Sequence, residues 1–287
     1  MTKNLLQQVM TKSSNKKKND TPQADVSFVS GIIEKIESGY MTKTKPKFSK
    51  KSSFSPSTLS YGAGKCPRYW YLAFDGAVHY DDSDAYGVAN RTNGTYGHDR
   101  IQEAIADSGL LDETMEFDPI ERKYNKQTHP SMEFRVKTDD PPFDGYGDVM
   151  LNIDEQRVIG EIKTVNNEDF ERKKGSRKPT KGHLMQLLMY MKVWKIGKGV
   201  MIYENKNNHE LLTLPVVVND HYRRWVDQAF DWMREVYKNW QDRQLPKVPY
   251  RSNSTVCKVC PIQKVCAEAE TGVIKIKPLE LLEHEEL

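Results

Sequence analysis

Two alternating segments separated by a short polar turn constrain the fold of this chain more than any other feature. Residues 147–153 and residues 157–165 alternate apolar and polar side chains, and Asp154, Glu155 and Gln156 lie between them. A period of two is typical of a β-strand, and a short polar turn lays two such strands side by side in opposite directions. The sequence therefore predicts an antiparallel β-hairpin.

Helical periodicity occurs on both sides of this hairpin in the sequence. Apolar residues that recur at intervals of three and four are typical of amphipathic helices. Ser55 and Pro56 favour the N-cap and first position of a short helix. Helices that flank a central mixed β-sheet make an α/β (α+β) domain. The predicted helices cover about 26–39, 68–74, 92–108, 183–194 and 221–240, and further strands cover about 132–137, 199–204 and 210–218.

Two short segments concentrate positive charge, although the net charge of the chain is only +3. Such clusters suit contacts with nucleic-acid phosphates, but they are also typical of solvated loops. On charge alone both interpretations stay open, and the second segment is predicted to be a loop over about 169–182. The clusters are Lys43, Lys45, Lys47, Lys50 and Lys51, and Arg172, Lys173, Lys174, Arg177, Lys178 and Lys181.

The chain has no apolar run of ~18 residues, the length that a membrane-spanning helix needs. Residues 1–20 are polar and rich in lysine, and they lack the apolar stretch of a secretory signal. We therefore expect a cytoplasmic protein, bacterial or made by a virus in its host cytoplasm, with no membrane partner.

Three chemically active side chains lie on the predicted hairpin. Asp148 begins the first strand, while Glu161 and Lys163 are two residues apart on the second strand and share a face. Mg²⁺ and Mn²⁺ prefer carboxylate ligands, and a lysine can orient an attacking water. The backbone carbonyl of Ile162 could supply a further ligand. The alternative is an ordinary cross-strand ion pair, although apolar Val165 on the same face argues against a solvent-facing surface.

The four cysteines form a second grouping. A disulfide framework is unexpected in a cytoplasmic chain of this length, and three of the four lie close together in the sequence, so the grouping points to a metal. The residues are Cys66, which precedes Pro67, and Cys257, Cys260 and Cys266 in a Cys-x2-Cys-x5-Cys pattern.

The order of these motifs resembles the RecB-like branch of the PD-(D/E)XK nucleases. Gly97-His98 comes first, and Gly-Tyr-Gly-Asp148 and Glu161-Ile162-Lys163 follow. A Gln-x-x-x-Tyr motif then runs from Gln186 to Tyr190. Gly147-Asp148 stands where the family usually has Pro-Asp. Singly, each motif is also typical of an ordinary helix or strand, but together and in this order they are much more specific.

The resemblance implies a fold and a role for each matched residue. It implies a restriction-endonuclease-like core over residues 55–268, a range that contains both the predicted hairpin and the four cysteines. Residues 1–54 remain as a flexible, Lys-rich extension with one short helix, and residues 269–287 as an acidic tail. The implied catalytic residues are Asp148, Glu161, Lys163, Gln186 and Tyr190, and the implied metal ligands are His98, Asp148, Glu161 and the Ile162 carbonyl.

The cysteine spacing is similar to that of the iron–sulfur members of this branch. These include the CRISPR-associated RecB-like exonucleases and the nuclease domains of AddB-type helicase–nucleases. The resemblance implies that Cys66, Cys257, Cys260 and Cys266 ligate a [4Fe–4S] cluster. A structural Zn²⁺ ion is the alternative, since four thiolates also satisfy it.

The resemblance further implies a DNA exonuclease that depends on Mg²⁺ or Mn²⁺ and acts on single-stranded ends in recombination, repair or replication. In that fold the basic segment at 172–181 would border the DNA. A spacer-processing CRISPR nuclease, a DNA-binding subunit with weak catalysis and an RNA nuclease are the alternatives. We also expect that the N-terminal extension could bind a protein partner and that the chain could form oligomers.

Overall fold

A four-stranded mixed β-sheet is the centre of the fold. The structure is a computed structural model, and it describes residues 31–42, 50–80, 83–112, 133–280 and 282. Within these ranges the strands are β1 (Phe134–Asp139), β2 (Pro142–Gly147), β3 (Val149–Ile153), β4 (Gln156–Val165), β5 (Lys198–Asn205) and β6 (Leu211–Val217). The helices are α1 (Ile32–Met41), α2 (Pro56–Leu59), α3 (Pro67–Phe74), α4 (Ala85–Asp107), α5 (Asn167–Ser176), α6 (Lys181–Trp194), α7 (Asp220–Gln241), α8 (Thr255–Lys258) and α9 (Gln263–Glu268).

The chain divides into two units, residues 1–39 and residues 40–287. The described residues of the first unit lie at the start of α1, in which no residue is buried. A helix was predicted over about 26–39, and residues 26–30 lie outside the described residues. All the other elements belong to the second unit.

The predicted hairpin is confirmed as β3 and β4. The two strands pair antiparallel from Val149 opposite Gly160 to Ile153 opposite Gln156. The turn holds only two residues, Asp154 and Glu155, with φ of 50° and 61°. Two successive positive φ values match the right-handed twist of the paired strands. Gln156, which was expected in the turn, therefore begins β4.

The sheet has the order β3-β4-β5-β6, and only its central pair, β4 and β5, is parallel. Helices α5 and α6 connect that pair in the sequence, and buried side chains of α6 pack with Ile159 and Met201 on one face of the sheet. Ile101 and Ile105 of α4 pack with Ile162 on the other face. Helices thus flank a mixed sheet, and the predicted α/β class is confirmed.

The loop predicted over about 169–182 is wrong, because α5 occupies most of it. Asn166 caps this helix, and its side chain accepts a hydrogen bond from the Asp169 amide. Acidic residues in the first turn and basic residues in the last turn complement the helix dipole. Phe170 anchors the helix in the core. The capping residue and the buried Phe170, rather than the density of charge, therefore indicate a helix here.

Other boundaries also differ from the expectations. Helix α4 begins at Ala85 rather than near residue 92, because Asp84 caps it through the Gly87 amide. Strand β2 was not predicted, and its one proline and two glycines are uncommon in strands. It pairs with β1 in a separate two-stranded sheet. The remaining predicted helices, α3, α6 and α7, begin and end within two residues of the expected positions.

Some described residues of the two terminal segments pack in the core. Phe54, assigned to the flexible extension, is fully buried, and its backbone amide donates to the Pro142 carbonyl at 2.8 Å. Ile276, Leu279 and Leu282, assigned to the acidic tail, lie in the same core cluster. The backbone amide of Leu279 donates to the Lys65 carbonyl at 2.9 Å. These four side chains are therefore part of the core cluster.

Within the described ranges, none of the helices combines the length and apolar character needed to cross a membrane.

The packing of the C-terminal segment predicts a stability effect. Leu279→Ala should lower the free energy of unfolding by about 2–5 kcal/mol, because it leaves a cavity in the core. Val273 is exposed in the same segment, so Val273→Ala should change it by no more than ~0.5 kcal/mol. Urea unfolding of both variants measures this. Equal, small effects would mean that the segment is a detached tail.

Candidate active site

Three separate chain segments meet at the backbone of Ile162, in the middle of β4. Asp148, between β2 and β3, accepts a hydrogen bond on Oδ2 from the Ile162 amide at 2.7 Å. His98 of α4 lies 2.7 Å from the Ile162 carbonyl through Nε2, and 3.3 Å from Asp148 Oδ2. A carbonyl oxygen can only accept, so Nε2 of His98 carries a proton. The structure thus brings together His98, Asp148 and Ile162 as the sequence predicted.

Gly97 explains how α4 comes so close to the sheet. A Cβ atom at this position would lie 2.7 Å from Cγ2 of Thr164, so only glycine fits without a shift. One turn after His98, Gln102 donates from Nε2 to the Asp148 carbonyl at 2.7 Å. Sequence reasoning missed Gln102, although its spacing of four residues from His98 places both on one helix face.

Glu161 and Lys163 form a pair on the opposite face of β4. Lys163 Nζ donates to Glu161 Oε1. The Glu161 side chain is 0% exposed, and its other oxygen, Oε2, has no hydrogen-bond partner among the described residues. A buried carboxylate oxygen without a partner is costly. A bound cation would remove that cost, so this donor set fits the predicted divalent metal.

The surroundings of Asp148 and Glu161 shift the pKa values of these two carboxyl groups in opposite directions. Burial, and then the charge of Asp148, raise the pKa of Glu161 to about 8, although Lys163 opposes the shift. Burial works in the same direction on Asp148, but Lys163 and His98 outweigh it and lower its pKa. Near neutral pH, without a metal, Asp148 is therefore ionised while Glu161 is largely protonated.

The two basic groups, Lys163 and His98, keep their positive charge because carboxylates lie close to them. Burial disfavours the charged form of Lys163, but Glu161 and Asp148 outweigh it, and its pKa is raised. Burial also disfavours the imidazolium of His98, but Asp148 outweighs it and raises the pKa of His98 to about 9. A positive His98 and a negative Asp148 therefore form an ion pair at neutral pH.

The charged side chains of this site hydrogen-bond to one another or to the Ile162 backbone. Among the described residues, no group of three or more His, Cys, Asp or Glu side chains is arranged to hold a metal ion. Lys163 bonds to Glu161, and His98 occupies the Ile162 carbonyl that was expected as a metal ligand. Metal binding here would require His98 to give up its Nε2 proton and Glu161 to lose its own.

Gln186 and Tyr190 lie beside the carboxylates on α6. Gln186 Nε2 donates to the Tyr190 hydroxyl at 2.8 Å, and both side chains are buried. Burial, and then the charges of Glu161 and Asp148, raise the pKa of Tyr190 well above its usual range. The neutral hydroxyl of Tyr190 is therefore close to the carboxylates, and Gln186 orients it.

A second group near Lys163 was not predicted. His183 of α6 lies 3.0 Å from the Tyr203 hydroxyl through Nδ1, and burial, with Lys163 and Lys173, lowers the pKa of His183 to about 3. The ring of Tyr61 is 5.8 Å from the His183 ring and 46% exposed. No sequence signal joins these residues, apart from the position of His183 one turn before Gln186.

The six basic residues predicted to bind DNA do not form one uniform patch. Arg172 pairs with Asp169, and Lys174 pairs with Glu210 at 2.6 Å. Lys173 is buried, and its Nζ lies 5.1 Å from the centre of the Tyr203 ring. Three residues follow at the end of α5 and the start of α6, and all are at least partly exposed: Arg177, Lys178 and Lys181. Lys173 is therefore a packing residue rather than an open phosphate contact.

All four cysteines line one cavity of about 180 Å³. Cys66 immediately precedes α3, and the other three lie in and between α8 and α9. Burial raises the pKa of Cys66 to about 12 and that of Cys260 to about 11. The thiols are free, and four sulfur donors around one cavity fit a thiolate-bound metal centre.

Comparisons with known proteins add little to this geometry. No protein-family model matches the chain, and no curated protein is significantly similar in sequence. The chain is similar to the crystal structure of LHK-Exo in complex with dAMP, at 12% identity and a TM-score of 0.43 over 74% of this chain and 96% of that one. It is also similar to SSO0001, at 13% identity and a TM-score of 0.38 over 82% and 93% of the two chains.

A third similar structure is LHK-Exo, an alkaline exonuclease from Laribacter hongkongensis. The identity is 11% and the TM-score 0.34, over 73% of this chain and 95% of that one. All three TM-scores are below 0.5, so the function of the site rests on its own residues.

The ion pair at Ile162 predicts a measurable titration. In metal-free protein, Asp148→Asn should lower the pKa of His98 from about 9 towards its usual ~6.5, because the charge that most favours its imidazolium is lost while burial remains. Histidine ¹H–¹⁵N correlation spectra across pH measure this, with His98→Gln assigning the signal. Asp144→Asn, which removes a carboxylate paired with Arg135, is the control and should leave the value unchanged. An unaltered His98 pKa in Asp148→Asn would contradict the assignment.

Proposed function

We propose that this chain is a divalent-metal-dependent deoxyribonuclease, an exonuclease that hydrolyses phosphodiester bonds from single-stranded ends. One observation carries the proposal: buried Glu161 leaves Oε2 without a partner in the described residues, beside ionised Asp148 and charged Lys163. A carboxylate pair next to a lysine and a histidine is the donor set that metal-assisted phosphodiester hydrolysis needs.

Different residues would bind the metal, orient the carboxylate and orient the attacking water in that reaction. His98, Asp148 and Glu161 would hold Mg²⁺ or Mn²⁺, which would supply Lewis-acid polarisation of the phosphate and lower the pKa of a water. The Ile162 amide fixes the orientation of Asp148 through the 2.7 Å bond to Oδ2. Lys163 remains an ammonium, orients the attacking water and offsets the negative charge that develops on the phosphate.

Gln186 and Tyr190 support this arrangement from α6. Their mutual hydrogen bond fixes the Tyr190 hydroxyl beside the carboxylates. Because both side chains are buried, they keep the carboxylate pocket dry and rigid. In the proposal they position Glu161 and the water, and they do not themselves contact bulk solvent.

A [4Fe–4S] cluster held by the four cysteines is part of the proposal. A single Zn²⁺ holds thiolates ~3.8 Å apart, given Zn–S bonds of ~2.3 Å. The four thiols line one cavity, and four thiolates satisfy either a [4Fe–4S] cluster or a structural Zn²⁺ ion. The Cys-x2-Cys-x5-Cys spacing differs from the paired Cys-x2-Cys motifs of zinc ribbons and favours the cluster.

The second candidate function is a DNA-binding subunit with weak catalysis. The observation in its favour is that Lys163 and His98 bond directly to the groups that would ligate the metal. A spacer-processing CRISPR nuclease would use the same residues for the same chemistry and differs only in its biological setting.

Cleavage of end-labelled single-stranded DNA tests the proposal. Anaerobically purified protein should degrade the DNA with Mg²⁺ or Mn²⁺, and Lys163→Ala should reduce the rate by roughly 10²–10³-fold because an electrostatic contact in the transition state is lost. Lys198→Ala is the matched control, since Lys198 begins β5 and bonds to Gln156.

The pattern of released label gives the polarity of digestion. Loss of activity in Lys163→Ala with normal activity in Lys198→Ala would support the site. DNA binding without metal-dependent cleavage by the parent protein would reject catalysis in favour of the binding subunit, and cleavage of RNA alone would reject the substrate.

We also propose that Arg177, Lys178 and Lys181 contact DNA phosphates. Charge reversal with Arg177→Glu and Lys178→Glu should weaken binding and flatten the dependence of affinity on salt, by ~0.7 in the logarithmic slope for each lost single-strand phosphate contact. Lys275→Glu with Lys277→Glu makes the same change in net charge at exposed positions and is the control. Fluorescence anisotropy at several salt concentrations measures the slopes, and equal slopes in the two double variants would refute the specific contact.

A further inference from the structure

Arg68 is a fully buried cation beside the cysteine cavity. It lies in α3, two residues after Cys66, and is 1% exposed. Arginine keeps its proton in proteins, so its charge cannot be removed by deprotonation. The surroundings of the guanidinium must therefore compensate a permanent positive charge.

All three guanidinium nitrogens donate hydrogen bonds to the segment that carries the last cysteine or to the loop before it. Nε donates to Cys266 Sγ at 3.3 Å. Nη1 donates to the Pro246 carbonyl at 2.8 Å, and Nη2 donates to the Glu270 carbonyl at 2.7 Å and the Ala269 carbonyl at 3.3 Å. Arg68 therefore joins α3 to the chain before α8 and to the residues that follow α9.

Among the described residues, no carboxylate forms an ion pair with Arg68, and its hydrogen-bond partners are neutral carbonyls and one sulfur. Isolated buried charges are costly and are normally paired or placed near a metal centre. Cys266 Sγ is the only partner in this set that can become an anion.

We infer that Arg68 is the counter-charge and hydrogen-bond donor of an anionic metal–thiolate centre in the cavity. Four thiolates outweigh the charge of either a Zn²⁺ ion or an oxidised [4Fe–4S] core, so both centres are net negative. The inference rests on the proposed metal centre and is independent of nuclease activity. Arg68 is a positioning residue here, because it acts through Cys266.

The hydrogen bond from Arg68 to Cys266 has different consequences for a [4Fe–4S] cluster and for a Zn²⁺ ion. In a [4Fe–4S] cluster, a hydrogen bond to a ligand sulfur and a nearby positive charge stabilise the more negative reduced state, so they raise the reduction potential. In a Zn²⁺ site the same contact stabilises the thiolate form of Cys266 and strengthens metal retention. The shared chemistry is an N–H···S bond from a buried cation to a thiolate ligand.

The test compares Arg68→Lys and Arg68→Gln with the parent chain, all purified anaerobically. Iron, sulfide and zinc contents identify the metal, and a spectroscopic redox titration measures the potential of any iron–sulfur centre. Arg157→Lys is the matched control, because Arg157 also donates through Nε, to Asp112 Oδ2 at 2.6 Å, and does not line the cysteine cavity.

For an iron–sulfur centre, Arg68→Lys should retain the metal but show a more negative potential, and Arg68→Gln should lose at least half of its metal. For zinc, both variants should release the ion faster to a chelator than the parent chain does. Arg157→Lys should match the parent in each measurement. Metal content, potential and release rate that equal those of the parent in both Arg68 variants would overturn the inference.

Hydrogen exchange on the parent chain covers the case in which neither variant folds. Removal of the metal should leave the charge of Arg68 unbalanced, so the amides of residues 266–270 should lose protection by at least tenfold. Unchanged protection there would overturn the inference, since carbonyl contacts alone would then suffice. A parent chain that contains neither iron nor zinc would instead reject the proposed metal centre itself.

Discussion

The peptide unit of Ile162 joins the parts of the site into one arrangement. Its amide binds the Asp148 carboxylate, and its carbonyl accepts from His98. Its side chain is buried among apolar residues under α4. Residues 161 and 163 then project towards α6 because successive side chains of a strand alternate between faces. A single strand position therefore fixes the hairpin, α4 and the charged pair relative to one another.

The electrostatic character of the site follows from this geometry. Two carboxylates share a buried space. The partners of Asp148, which include the Ile162 amide, outweigh its burial, whereas burial and the charge of Asp148 outweigh the single Lys163 partner of Glu161. Glu161 keeps a raised pKa and an unpartnered oxygen. Without a bound cation, the unpartnered oxygen of Glu161 lowers the stability of the fold. The same oxygen is available to bind a cation. The rest of the core, which is apolar and closely packed on both faces of the sheet, supplies the stability that permits it.

Much of the local structure could be predicted from the sequence, because it depends on neighbouring residues. The alternation of β3 and β4 and the spacing between Glu161 and Lys163 are local patterns, and so they indicated both the strands and their shared face. The contacts that were missed join distant positions. Gln102 reaches the Asp148 backbone, and Arg68 reaches Cys266 across 198 residues. Neither has a local signature, since each depends on how α3 and α4 pack. The basic helix α5 was missed for another reason: its capping residue and its buried Phe170 were outweighed by the charge count.

The separation of Arg68 from Cys266 has a consequence for the biosynthesis of the protein. The contact closes a loop of 198 residues, and the whole central sheet lies within that loop. During synthesis on the ribosome, Cys66 emerges long before Cys257, Cys260 and Cys266 are made. The sheet can therefore form before the four cysteines come together. Contacts of such high sequence separation are slow to form, because a long loop must first be closed. The last step in maturation would then be the closure of the C-terminal segment over α3, and the time between synthesis and closure is when the thiols are most open to oxidation.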